Sequence, residues 1–591
     1  MNAQPCGHRE TDRPQPAPSA AADPPAADRG AIYVSLIVLV AFAVRLVYLY
    51  QIEGIPFFYG LISDAERYDA WARSIASGDW WGQTTFYQAP LYPYFLAAVK
   101  AALADSPFVT RLAQIVLGSL SCGLLALAGR AFFSPRAGLW AGAVLALYPP
   151  AIFFDGLIQK TSLAQFLFCL LLALLGWQQL RVRAWRSLAI GAVLGLFCLT
   201  RENGLALVPV VLVWAWLYRP AERAPGARLR FWRTALVLAG LILVLLPVGL
   251  RNRFVGGEFV LTTAQMGPNF YIGNNPDATG RYRPLVKGHE TPEFEQDDAR
   301  RLAEQDVGHP LTPREVSRYW SGLSWAYIRS QPLDWLKLLG NKWLLVWNAY
   351  EIPDSESYYV YRDWSWLLVL LGSLMHYGVL VPLAAAGVVL FWGQRRRLGV
   401  LYALVLVTAA AVTLFYIFAR YRYPIVPVAV LFAGAALPEA VALFRASRWR
   451  PLTAAACALV PTAVLVNLTL NPEGELNATA WGNVGSALAR QESMERAVAC
   501  FERAVEGAPH SAEMHYNLGL AYSFQGRFAQ AVEQLRTALR ISPNLVEADY
   551  QLAVALERLG RLEEALHHYR RALQLNPDDA EAKAALQRLS P

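Results

Sequence analysis

The chain is 591 residues long, 55% hydrophobic and only 17% charged, with 19 tryptophans. Soluble domains carry about 25% charged residues, so this composition, with repeated apolar runs near or above ~18 residues, excludes a soluble globular protein and predicts a multi-spanning membrane protein. The net charge of +8 does not point to nucleic acid, because most of the surplus falls in short loops between apolar runs, and the six cysteines form neither a metal-ligand spacing nor a disulfide framework.

Residues 1–30, rich in Pro, Ala and Asp and without periodicity, are expected to form a disordered cytoplasmic tail. Ala31–Tyr50 reads as a first span, too long for a signal-peptide core and lacking a small-residue cleavage site. The stretch Ser63–Tyr94 carries two neighbouring acids, Asp64 and Glu66, then a helical pattern, then aromatics around Gly78, Pro90 and Pro93. Leu91–Leu103 is apolar but short and suits an interfacial helix. Further spans fall at 109–131, 137–154, 157–178, 187–200, 203–218, 233–250, 364–391, 398–418, 425–443 and 451–470. The expectation is an all-α polytopic bundle of about 11 spans, with 187–200 and 203–218 short for full crossings.

Arginines mark alternate loops: Arg130 and Arg136; Arg181, Arg183 and Arg186; Arg219, Arg223, Arg228, Arg230 and Arg233; Arg395–Arg397; and Arg445, Arg448 and Arg450. The positive-inside rule makes that side, with the N terminus, cytoplasmic. The Asp64 loop, the turn at Asp155, residues 251–363, the Arg420–Tyr423 edge and the C-terminal part are then outside an inner (plasma) membrane. Residues 251–363 are too long and mixed in polarity for a connector and read as an outer capping subdomain. In it, Asn269–Gly280 is a turn-rich loop, Arg314–Arg329 an amphipathic helix, and Asp334–Asn348 a Trp-rich interfacial helix.

From about Ala478 the chemistry changes. Pro509, Pro543 and Pro577 recur every 34 residues, as do Ala497, Ala531 and Ala565, then Ala504, Ala538 and Ala572, then Phe501, Leu535 and Tyr569. This is the tetratricopeptide pattern, with repeats at 478–511, 512–545 and 546–579 and a capping helix. Such helix pairs stack into a curved surface that suits a peptide or protein partner.

Several residues could carry chemistry. Asp64 and Glu66 do acid–base work beside a membrane or cap a helix Ala65–Ala76; at i and i+2 they do not share a helix face. Asp155 and Lys160 flank a span end, where an ionisable residue is functional, a cap or a snorkelling side chain. Arg201 and Glu202 pair with each other, or Arg201 faces a phosphate. Arg251, Arg253, Arg420 and Arg422 stand at outer span ends, against the positive-inside trend, and fit an anionic lipid headgroup or ordinary anchoring. His289, Glu290, Glu293 and Glu295 fit no metal-ligand spacing and read as a solvated loop.

These residues resemble a known family, the membrane-embedded GT-C glycosyltransferases, in the branch of the protein O-mannosyltransferases and the lipid A aminoarabinose transferase. The resemblance covers roughly residues 31–470. It rests on Asp64 and Glu66 in the first outer loop, the helix after them, the Ala89-Pro90-Leu91-Tyr92 segment, Asp155, and the Gly273-Asn274-Asn275-Pro276 loop. It implies an outward-facing site, a polyprenyl-phosphate sugar donor, inversion at the sugar, and no cofactor or metal. It further implies Asp64 as general base for the acceptor hydroxyl, with Glu66 and Asp155 in the catalytic set and Arg201, Arg251, Arg420 and Lys160 as donor-phosphate ligands. The acceptor is a protein, lipid or glycan. Aminoarabinose transferases tend to carry Lys just before the proline of the first-loop motif; Ala89 stands there, which counts against an aminoarabinose donor. A different class, a non-catalytic membrane scaffold whose repeats recruit envelope-assembly proteins, is the alternative; it should tolerate Asp64→Asn.

Overall fold

The computed structural model describes residues 26–218, 226–286, 292–470 and 473–589. Most of the expected N-terminal tail, together with Arg219, Arg223, His289 and Glu290, lies outside those residues. Among the described residues all regular structure is helical. The first helix already begins at Ala26, inside the segment expected to be disordered.

Each of the eleven expected apolar segments is helical, but length and apolarity together single out seven: Gly30–Ile52, Pro107–Phe132, Thr161–Leu180, Ala227–Gly256, Trp366–Leu390, Ile425–Arg445 and Trp449–Val466. An eighth span results if Pro135–Ala146 and Pro149–Asp155, bent by 58°, count as one. The bend falls at Pro149-Pro150, where the missing N–H groups and the ring clash break the helical ladder. Against the expected count of about 11, length and apolarity support seven or eight candidate spans among the described residues. The reason is length. Ala184–Cys198 has 15 residues, about 22 Å of helix against ~30 Å of hydrocarbon. Glu202–Leu217 and Gly399–Thr413 are also short.

Small residues let these helices approach closely. A methyl group at Gly191 would sit 1.8 Å from the Val237 carbonyl oxygen, and one at Gly240 would sit 2.1 Å from that of Leu188. The first and last apolar helices leave Leu36, Leu39, Val460, Val464 and Leu465 exposed, as lipid-facing positions require.

The bundle has two distinct ends. At one, the arginine-rich loops meet. Arg397 donates to the Ala131 carbonyl at 2.8 Å, Gln179 to that of Arg397 at 3.1 Å, Tyr218 to that of Gln179 at 3.0 Å, and Arg233 to that of Tyr218 at 2.9 Å. The helix Thr161–Leu180 links this end to the other. Its 20 residues span about 30 Å, and its first residue, Thr161, accepts a 2.8 Å bond from Arg201.

Over that second end lie the helices Pro292–Val307, Pro313–Ser330 and Pro332–Trp347. Thr312 and Glu315 form a reciprocal capping box at the start of the middle one. The turn-rich loop expected at Asn269–Gly280 is in its first part a helix, Met266–Gly273. Tertiary bonds override the local turn signal there: Asn274 Nδ2 donates to the carbonyls of Phe270, at 2.9 Å, and Leu414, at 2.7 Å.

The C-terminal part is a stack of helix pairs: Glu473–Arg490 with Met494–Gly507, Ala512–Phe524 with Phe528–Ile541, and Val546–Arg558 with Leu562–Leu575, closed by Ala580–Leu589. The alanines of the 34-residue pattern, Ala497, Ala531, Ala565, Ala504, Ala538 and Ala572, are wholly buried. Only a methyl group fits where two helices of a pair cross, which is why the period shows so clearly.

Candidate active site

Ser63–Ala76 forms a helix with no side-chain cap. Ser63, its first residue, has a φ of +54°, a left-handed conformation uncommon outside glycine. Asp64 is freed from capping and turned inward. Its Oδ1 accepts from Gln88 Nε2 at 3.2 Å, and its Oδ2 from Arg420 Nη1 at 2.7 Å. Arg420 comes from the four-residue turn Ala419–Arg422. Its other terminal nitrogen lies 2.7 Å from Asp354 Oδ2, so one guanidinium serves two carboxylates.

These groups line a cavity of about 350 Å³ together with Lys160, Arg201, Glu202, Tyr282, Glu295 and Tyr421. Its charge is mixed: three cations (Lys160, Arg201, Arg420) face four carboxylates (Asp64, Glu202, Glu295, Asp354). Arg201, only 2% exposed, spends one nitrogen on Thr161. Its Nε and Nη1 have no hydrogen-bond partner among the described residues, and its guanidinium lies 5.7 Å from the Tyr421 ring centre. Lys160 Nζ is 3.5 Å from Glu202 Oε2.

Burial pushes the Asp64 carboxyl up, but the charge and hydrogen bond of Arg420 outweigh it and hold it below the usual carboxylate range. Asp354 is displaced the other way, raised chiefly by burial and further by the Asp64 charge, against the pull of Arg420. Burial and then the Asp64 charge raise Glu295 to about 7. Burial also lowers Lys160, and lowers Arg201 to about 10. The site thus holds one carboxyl displaced downward beside two displaced upward, the kind of separation that acid–base chemistry uses.

Of the seven residues singled out from the sequence, four meet here: Asp64, Lys160, Arg201 and Arg420. Glu66 is exposed and does not line the cavity. Asp155 is wholly buried in the bundle, its Oδ2 accepting at 2.8 Å from Nε of Arg45 on the first helix. A methyl group at Gly118 would lie 2.0 Å from that same oxygen. Arg251 ties the preceding loop down, donating to the carbonyls of Trp81 at 2.7 Å and Thr84 at 2.6 Å and packing 3.8 Å over the Phe86 ring. It lines a neighbouring cavity of about 250 Å³.

Asp354, Gln88 and Glu295 were not singled out. Gln88 directly precedes the Ala89-Pro90 motif. Asp354 stands just past the Trp-rich interfacial helix Pro332–Trp347, in a polar segment. Glu295 belongs to the segment expected to be a solvated loop; it sits instead on the helix Pro292–Val307, which carries it into the cavity.

Fold and site together give a bundle of long apolar helices with a charged cavity at one end. Residues 87–249 match the model described as dolichyl-phosphate-mannose-protein mannosyltransferase. Residues 476–544 and 516–580 match tetratricopeptide-repeat models. Residues 87–249 are thus similar to that mannosyltransferase family, and the C-terminal part is similar to tetratricopeptide repeats. The matched stretch includes Gln88, Lys160 and Arg201, while Asp64, Asp354 and Arg420 lie outside it.

Comparison with curated proteins found no match. Among solved structures, the first tetratricopeptide domain of Spaghetti (RPAP3), bound to an HSP90 peptide, is 25% identical, covering 20% of this chain and 92% of its own at a TM-score of 0.19. The Arabidopsis OM64 tetratricopeptide domain is 26% identical, covering 20% and 97%, at 0.20. The crystal structure of MamA is 20% identical, covering 25% and 90%, at 0.17.

Proposed function

We propose that the chain is an integral membrane glycosyltransferase that moves a sugar from a polyprenyl-phosphate donor to a protein, lipid or glycan acceptor on the outer face of the membrane, with Asp64 as general base. The observation that carries this reading is the Asp64 carboxylate, bonded to Arg420, in the same cavity as Arg201, whose buried guanidinium has two nitrogens without a hydrogen-bond partner among the described residues. A buried cation with free donors suits an anion, and a guanidinium suits a phosphate better than an ammonium does.

The division of labour follows from the charges. The donor phosphate takes the open donors of Arg201, with Lys160 and Arg420 beside it. As the sugar–phosphate bond breaks, these fixed cations stabilise the charge growing on the leaving phosphate. The acceptor hydroxyl gives its proton to Asp64, and its oxygen attacks the sugar from the face opposite the phosphate, inverting that carbon. Each carboxylate oxygen has two lone pairs, so Asp64 can accept a proton while bonded to Gln88 and Arg420. A phosphate that draws Arg420 towards itself makes Asp64 more basic when the base is needed.

The outward orientation is supported by the arginine-rich loops gathering at the end away from this cavity. The repeats, on the cavity side, are placed to receive a peptide or protein partner.

The test is sugar transfer from a series of polyprenyl-phosphate sugars in purified membranes, wild type beside Asp64→Asn. Loss of a general base costs about 10²–10⁴-fold in rate, and that drop is expected with the variant still folded. Equal transfer by both proteins removes Asp64 from the chemistry.

A further inference from the structure

The first repeat does more than follow the membrane domain in sequence; it is bonded to the loop that carries Asp354. Asp354 reaches into the cavity to Arg420, and the segment from Ser355 to Trp364 meets the helix pair Glu473–Arg490 and Met494–Gly507. The Ser355 carbonyl accepts from Asn483 Nδ2 at 3.3 Å. Ser357 Oγ donates to Asn477 Oδ1 at 2.6 Å. Asp363 pairs with Arg503, whose guanidinium lies 4.6 Å from the Trp481 ring centre, and Trp481 packs 6.0 Å from Trp364.

Ser355 faces the other way as well. Its Oγ donates at 2.8 Å to Oγ of Ser63, the residue with the left-handed backbone immediately before Asp64. Such a conformation persists only where its surroundings hold it. One serine therefore stands between the repeat and both carboxylates on Arg420: its backbone next to Asp354, its side chain next to Asp64.

We propose that Asn483 is a positioning residue for the transferase site: through Ser355 it holds Asp354 against Arg420, and so the first tetratricopeptide repeat sets how much of the Arg420 charge is open to a lipid phosphate. The proposal rests on the reading of the cavity as a lipid-phosphate site. Its consequence has an unusual sign. Loosening the repeat from the loop lets Asp354 withdraw, unmasks Arg420 and tightens anion binding, whereas general damage to the fold would weaken it.

The experiment measures binding of a polyprenyl monophosphate to the full chain in detergent micelles. Asp354→Asn is expected to lower Kd about tenfold, the scale of coupling between neighbouring charged groups. Asn483→Ala is expected to lower it about threefold in the same direction, with Asn483→Gln, which keeps the donor, near wild type. The double variant should bind no tighter than Asp354→Asn alone. Should the alanine protein fail to fold, Asn483→Leu, of similar volume and without a donor, takes its place. A Kd that is unchanged or raised in Asn483→Ala, or a double variant whose effect is the product of the two, overturns the proposal. Arg201→Ala separates this failure from that of the underlying reading. If it weakens binding while the other two variants act independently, only the role of Asn483 falls. If it binds as wild type, or wild type does not bind, the phosphate reading and the proposal fall together.

Discussion

Arg420 stands between Asp64 and Asp354, and that single arrangement sets opposite fates for the two acids. Arg420 and the Gln88 hydrogen bond offset the burial of Asp64 and hold its carboxyl low, whereas burial prevails at Asp354 and Glu295. Glu295 offers the clearest pH signature. An ordinary glutamate releases its proton near 4.5, while here it does so at about 7. Between those values the folded protein keeps a proton that the unfolded chain has lost. Stability from this group is therefore fully present below the lower value and is lost as pH rises through the upper one. Glu295→Gln should be more stable than wild type by about 1–2 kcal/mol above pH 7, allowing for partial exposure, with the gap closing towards pH 4. Thermal unfolding in detergent at the two ends of that range reads it directly; a gap that does not depend on pH would show that Glu295 is not desolvated by the cavity.

At the scale of elements, the repeats carry a local flaw at a regular position. The turn between the helices of a pair needs a left-handed residue. Gly560 (φ +75°) and Gly526 (φ +74°) supply it in two repeats, but Glu492 (φ +60°) occupies it in the first. A side chain there is strained, and glycine is not. Glu492→Gly should stabilise the first repeat by roughly 0.5–1 kcal/mol, less than the full relief because glycine also loosens the unfolded chain. Hydrogen exchange of the amides in Glu473–Gly507 under rising denaturant would report it, and a destabilised variant would mean that the Glu492 side chain makes contacts that outweigh the strain. Elements also show how local signals are overruled. Asn269–Gly280 has turn composition, yet its first half is helical because Asn274 is bonded across to Leu414.

For the whole molecule, the separation of a basic end from a carboxylate-lined cavity end determines the expected topology. Single cysteines at Arg396 and at an exposed repeat position such as Arg570 should label from opposite sides of sealed membrane vesicles in a background lacking Cys6 and the exposed Cys457. Labelling from the same side would reverse the proposed placement of the repeats or of the basic loops. The crossing number matters here through its parity, which turns on whether the bent pair Pro135–Asp155 and the short helices Ala184–Cys198, Glu202–Leu217 and Gly399–Thr413 each cross.

Much of this was legible in the sequence, for physical reasons that can be named. Lipid demands long apolar helices, so the spans announce themselves in composition. Stacked helix pairs demand an alanine at every close crossing, so Ala497, Ala531 and Ala565 reveal the repeat. Asp64, Arg201, Lys160 and Arg420 stood out because a charge beside an apolar run is costly and therefore conspicuous. Cost alone does not say what a charge is for. Asp155 was as conspicuous as Asp64, yet it is matched by Arg45, 110 residues away, in the bundle core. Glu295 and Asp354 lie in polar segments where an acid costs nothing, so no local pattern marked them. Their part in the cavity comes from the packing of Pro292–Val307 and of the loop before Trp364 over the end of the bundle. The sequence by itself determined which segments are apolar helices, where the repeats lie and which charges need an explanation. Only the tertiary structure decided which charges meet, because a pairing such as that of Arg420 with Asp64, 356 residues apart, depends on how helices pack and leaves no trace at either position alone.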